Sequence, residues 1–241
     1  LDYEELAKLV DQKELKKFRD NALNPESPVL RTTGQNPDTY FQQREAANPY
    51  YEALPDVVES CMDQINEITG RNYKLFNYYG SPEAETVLVG MGSVTGTIQE
   101  TIDYLVAQGK KVGYLEVHLF RPFSPKHFFH ELPDTVKKIT VLDRDKEAGA
   151  VGEPLFEEIC SVLQDSGSPI KAYACRFGLA SKDTTPAQIV AMYENMGAKE
   201  PRNHYTIGIV DDVTHHSIPY GQELDIIPKG TVSCKFWGLG S

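Results

Sequence analysis

Hydrophobic positions along this chain change their spacing twice. Within the first twenty residues Leu6, Leu9, Val10, Leu15 and Phe18 recur at helical spacing among charges, which predicts one or two amphipathic helices ending near Asn24 and Pro25. Residues 28–40 mix Pro28, Gly34 and Pro37 with polar side chains and read as an extended connector over a surface, Arg31, Thr32 and Thr33 as solvated linker. From 49 to 69 the positions Tyr50, Leu54, Val57, Val58, Met62, Ile65 and Ile68 keep a helix period that Gly70 ends. Pro55 is the one flaw in that helix, and it is read as the first turn of the regular part rather than as a kink.

After residue 70 the pattern alternates. Residues 74–79 and 86–89 read as strands parted by the turn Gly80-Ser81-Pro82, and Ile98, Ile102, Leu105 and Val106 give a helix that Gly109 closes. A strand at 111–117, a short helix opened by Ser124-Pro125, a strand at 139–142 and a helix over 154–163 follow. A strand at 170–175, a helix at 186–196 and a last strand within 205–210 complete the series, and 211–230 is polar and turn-rich. Short apolar strands between amphipathic helices specify an α/β/α sandwich of three layers with a mostly parallel sheet. The expected organisation is N-terminal helices and linker packing on the core (1–70), an α/β domain (71–200), and a connector with the start of a further domain (201–241).

Composition narrows the function classes. The formal net charge of -11 argues against nucleic acid, which needs a clustered basic face. No apolar run approaches the roughly 20 residues that cross a bilayer, and the N-terminus is acidic, so the expected location is the cytoplasm. Cys61, Cys160, Cys175 and Cys234 are too scattered for a zinc or iron-sulfur motif and are expected to be reduced and mostly buried. The absence of an initiator Met and the stop after Gly238-Leu239-Gly240-Ser241, inside what reads as another glycine turn, suggest an excised piece of a longer protein.

In parallel α/β sheets ligands gather beyond the carboxyl ends of the strands, which singles out the loops 90–96, 118–123, 143–152 and 176–183 as sharing one edge. Gly90, Gly92 and Gly96 punctuate the first loop. They lack both a phosphate-loop lysine and the dinucleotide spacing, so a backbone turn or domain contact is favoured over cofactor binding. His118 and Arg121 stand at a strand end; Arg121 suits either a carboxylate or phosphate ligand or, preferably, an ion pair with Asp143 or Glu147. The run Asp143-Arg144-Asp145-Lys146-Glu147 reads as a solvated loop. His215 and His216 are adjacent, which suits surface positions better than a shared metal, and no Gly-x-Ser-x-Gly elbow frames a nucleophile. The residues themselves give no catalytic or metal site.

Residues 31–41, 84–100 with Gly-Met-Gly-Ser-Val, 117–123 (Val-His-Leu-Phe-Arg-Pro-Phe), 141–144 with Lys146-Glu147, 208–214 (Gly-Ile-Val-Asp-Asp-Val-Thr) and 234–241 together resemble pyruvate:ferredoxin (flavodoxin) oxidoreductase, in order and over essentially the whole chain. The resemblance implies a transketolase C-terminal-like second domain, joined by a linker from a pyrimidine-binding first domain. The full-length enzyme would carry thiamine diphosphate, Mg2+ and iron-sulfur clusters, convert pyruvate and coenzyme A into acetyl coenzyme A and carbon dioxide, and reduce ferredoxin or flavodoxin through other domains, as a homodimer. This piece would hold none of those cofactors, brace the remaining domains of its own polypeptide and be inactive alone, with Ser241 as a coenzyme A contact in the whole enzyme. The alternatives are an independent coenzyme A or nucleotide binder using 90–96 and Arg121, or a docking surface for a redox partner at Asp143, Asp145 and Glu147.

Overall fold

A computed structural model describes residues 1–28, 34–227 and 229–240; Arg31, Thr32, Thr33 and Ser241 lie outside the described residues. The chain divides into two compact units, Leu1–Asn77 with His118–Phe128, and Tyr78–Val117 with Phe129–Ser241.

The first unit opens with two capped helices. In α1 (Tyr3–Leu9) the Asp2 carboxylate accepts the Glu5 N–H while Glu5 accepts the Asp2 N–H, a reciprocal capping box. In α2 (Gln12–Asp20) Asp11 accepts the N–H groups of Lys13 and Glu14. The connector expected up to residue 40 is corrected by α3 (Pro37–Glu45). Pro37 sits where a helix start needs no N–H donor, and Asn36 C=O accepts from Thr39 and Tyr40. Helix α4 (Asn48–Thr69) already runs at Asn48, so Pro55 is internal rather than initial. Its missing N–H removes one helix bond, and its ring is buried. Gly70, at φ 68°, closes α4 in the left-handed conformation. The core of this unit is aromatic: the rings of Phe76, Phe123 and Phe128 meet at centroid distances of 5.1, 5.8 and 5.5 Å.

The second unit carries the sheet. Its strands are β1 (Phe76–Gly80, inside which the two units divide), β2 (Thr86–Gly90), β3 (Val112–Val117), β4 (Lys138–Asp143), β5 (Lys171–Arg176) and β6 (Tyr205–Thr206), in the order β1-β3-β2-β4-β5-β6. The pairs β2–β3, β2–β4, β4–β5 and β5–β6 are all parallel. Unbroken apolar runs such as Val87-Leu88-Val89 follow from burial of both sheet faces. Leu88, Tyr114, Leu142 and Cys175 face α5 (Thr95–Ala107) and α8 (Pro186–Gly197) through Ile98, Ile102, Ile189 and Met192. Val87, Val89, Ile139 and Val141 alternate to the opposite face, and α7 (Pro154–Asp165) packs along β4 and β5. The short helix opened by Pro125 is α6 (Pro125–Glu131). The α/β sandwich is as the sequence predicts, except that the last strand stops at Thr206, where Gly208 at φ 85° turns the chain.

One close approach had no sequence signal. A Cβ on Gly113 would overlap the Tyr78 hydroxyl, and the Gly113 C=O accepts from the Tyr193 hydroxyl at 2.8 Å.

Candidate functional site

Strand order reverses between β2 and β4: the chain leaves β2 through α5 for β3 on one side, and leaves β4 for β5 on the other. At such a reversal the connecting loops diverge and leave a crevice at the carboxyl ends of the strands. A cavity of about 640 Å³ lies there, lined by Ser93, Val94 and Gly96 of the loop after β2, Arg144 after β4, and Gly178, Lys182 and Asp183 after β5. Leu224, Ile226 and Ile227 complete its wall.

Three of the four loops singled out from the sequence therefore meet. The fourth, 118–123, belongs to the first unit. Gly92 needs its φ of 81°, and a Cβ on Gly90 would come within 3.2 Å of Leu142 Cβ. Gly96 has open space around it and faces the cavity. The loop is fastened from below: Thr95 Oγ1 donates to Glu116 Oε1 at 2.7 Å and lies 3.1 Å from the Tyr114 hydroxyl. Arg144 Nε donates to Gly178 C=O at 2.7 Å. Gly178, Ala180 and Ser181 all have positive φ, and for the two non-glycine residues that conformation is strained. Cations (Arg144, Lys182) and carboxylates (Glu100, Asp183) share the wall, and among the described residues no His or Cys lines it. The cavity can hold a polar molecule.

The charge run 143–147 is not uniformly solvated. Asp143 is buried, and its two oxygens accept the N–H groups of Leu155 and Phe156 at the start of α7. Burial pushes its carboxyl above the ordinary range, and those two hydrogen bonds pull the other way. His118 Nδ1 lies 2.8 Å from Lys74 C=O, and the Arg121 guanidinium stands 4.8 Å over the Phe120 ring. His215 and His216 are exposed. Of the cysteines only Cys175 is buried, Cys160 is half-buried, and Cys61 and Cys234 are exposed.

One cluster with metal-binding side chains escaped sequence reasoning, its histidine lying 68 residues beyond its glutamate. Asp56, Glu59 and His127 offer ligand atoms within 4.8 Å of one another. They are already engaged: His127 Nε2 lies 3.3 Å from Glu59, its Nδ1 2.6 Å from Ser124 Oγ, and Asp56 is 3.9 Å from Lys126 Nζ. These contacts tie α4 to α6.

Comparison with known proteins decides the family. Residues 84–189 match the model of pyruvate:ferredoxin oxidoreductase core domain II, and residues 1–63 match that of the pyruvate flavodoxin/ferredoxin oxidoreductase thiamine diphosphate-binding domain. The chain belongs to the pyruvate:ferredoxin/flavodoxin oxidoreductase family. It is 52% identical over 241 residues to pyruvate:ferredoxin oxidoreductase of Moorella thermoacetica and 51% over 242 residues to pyruvate-flavodoxin oxidoreductase of Enterobacter agglomerans, in each case spanning all of this chain and 21% of the relative. Pyruvate dehydrogenase [NADP(+)] of Cryptosporidium parvum is 46% identical over 246 residues, all of this chain and 13% of that protein. The chain thus spans about a fifth, or less, of the length of these relatives.

The described residues of 1–63 do not by themselves form a thiamine diphosphate site. A diphosphate with its metal needs converging buried polar groups. Among the described residues α1, α2 and α3 bury no side chain, α4 buries only Pro55, and no buried polar atom there lacks a partner.

Proposed function

We propose that this chain is a noncatalytic structural part of a thiamine-dependent enzyme that oxidises pyruvate, forms acetyl coenzyme A and carbon dioxide, and passes electrons to ferredoxin or flavodoxin. The observation that carries the reading is identity above 50% along the whole chain with two enzymes named for that reaction. Relatives named for ferredoxin, flavodoxin and NADP(+) share this segment at 46–52% identity, which supports a role upstream of the choice of acceptor. Thiamine diphosphate supplies the carbanion chemistry when bound elsewhere in the polypeptide with Mg2+ and iron-sulfur clusters; this chain braces the domains that hold it. The working form is a homodimer in the cytoplasm, in keeping with the lack, among the described residues, of a helix long and apolar enough to cross a membrane. Gly90, Gly92 and Gly96 serve as backbone turns rather than cofactor ligands, and Ser241 as a coenzyme A contact in the whole enzyme.

The test uses the full-length polypeptide. Leu88→Ala should lower pyruvate- and coenzyme A-dependent reduction of ferredoxin or flavodoxin in proportion to the loss of folded protein, with KM for pyruvate unchanged. A raised KM for pyruvate at an unchanged folded fraction would overturn the reading.

A further inference from the structure

A second cavity, of about 590 Å³, lies at the carboxyl ends of β5 and β6, whose last residues Arg176 and Thr206 both line it. Its size falls within the roughly 300–1,000 Å³ of small-molecule sites. The wall is mainly apolar: Phe177 and Ile207 are buried beneath it, while Leu179 and Ile209 stay 46% and 40% exposed at its edge. The polar atoms are few and unusual. Arg176 Nε and Thr206 Oγ1 are buried and have no hydrogen-bond partner among the described residues.

The charged residues of the lining set the sign of a ligand. Each terminal nitrogen of Arg176 makes one bond, to Glu153 Oε1 at 3.4 Å and to His204 C=O at 2.9 Å, and keeps a second N–H. Lys146 and Lys182 also line the cavity. Glu153, 3% exposed, offsets one of the three cations, and Lys182 pairs with no acid among the described residues. In a chain of net charge -11, this is a local surplus of positive charge beside apolar wall. Cationic side chains beside an apolar wall match a carboxylate carried on a short apolar body.

From this geometry we infer that the cavity binds a small amphiphilic carboxylate. Its charged end meets the cationic side of the cavity at Lys182 and Lys146, and its apolar body lies against Phe177, Ile207, Leu179 and Ile209. The site is separate from any pyruvate chemistry and stands or falls independently of the proposed function. Isothermal titration with octanoate, octanamide and inorganic phosphate tests it. Octanoate should saturate with a Kd of about 1 mM or tighter. Octanamide, which lacks the charge, should bind about tenfold more weakly, and phosphate, which lacks the apolar body, should not saturate. Lys182→Gln and Ile209→Ser, both at accessible positions, should each weaken octanoate about tenfold without lowering the melting temperature. The methyl resonances of Ile207 and Ile209 should shift during the titration. Equal binding of octanoate and octanamide, saturation by phosphate, no saturable octanoate binding, or octanoate binding indifferent to both substitutions would overturn the inference.

Discussion

The N-terminal helices and the parallel sheet are built on opposite plans. In the sheet, Val87, Leu88, Val89, Tyr114, Leu115, Ile139 and Val141 are sealed from solvent, and the strands derive their stability from packing on both faces. Helices α1, α2 and α3 bury no side chain, yet α1 and α2 are carefully capped, and Tyr3, Phe18 and Phe41 stand 71–90% exposed. Capping and local charge pairs define such helices, but a helix of seven to nine residues is marginal without a partner face. The contrast teaches that one region carries its own core while the other presents apolar surface.

The largest effect should come from the sheet. Leu88→Ala should lower unfolding stability by about 2–5 kcal/mol, whereas Phe18→Ala should stay within about 0.5 kcal/mol, both read from urea melts. Equal losses would break the contrast. Gly113→Ala forces a methyl onto the Tyr78 hydroxyl and should cost about 1–3 kcal/mol, with Tyr78→Phe restoring part of it in the double variant. Failure of the second change to help would mean that the strain lies elsewhere.

Two aspartates sharpen the comparison within the second unit, because each accepts backbone N–H groups but in different surroundings. Burial raises the Asp143 carboxyl. Its contribution is therefore fully present below the unfolded value and is lost as pH rises through the folded one. Asp212 is the reverse: the Ser217 N–H, with help from Thr214, lowers it to about 2. Its contribution is present above about 3.9 and is lost as pH falls through about 2. Subtracting Asp212→Asn from the parent across that acid window should leave a difference that shrinks toward pH 2; a flat difference would show that the turn does not depend on the carboxylate. The smallest effect belongs to Asp2→Ala, which should remove about 0.5–2 kcal/mol from α1 alone and speed its amide exchange without moving the global melt.

Much of the sheet could be read from the sequence because burial of both faces writes itself as runs such as Val87-Leu88-Val89 and Ile139-Thr140-Val141-Leu142. Helix α3 could not, since Pro37-Asp38-Thr39-Tyr40-Phe41 has no apolar stripe and its proline looks like linker chemistry. The cavity at the strand-order reversal was legible from topology, through Gly96 and the loops after β4 and β5. Asp143 was concealed by its charged neighbours, because nothing local shows that a helix twelve residues later turns its N–H groups toward it. The second cavity was hidden for a similar reason: Lys146, Arg176 and Thr206 come from three separate strand ends and converge only once β4, β5 and β6 are in register.

The central claim is that this chain supports chemistry it does not perform. The most direct test supplies the purified chain with pyruvate, coenzyme A, thiamine diphosphate, Mg2+ and an oxidised ferredoxin or flavodoxin, and follows reduction of the carrier. The account predicts no reduction above the protein-free blank; pyruvate-dependent reduction that scales with the amount of chain would contradict it.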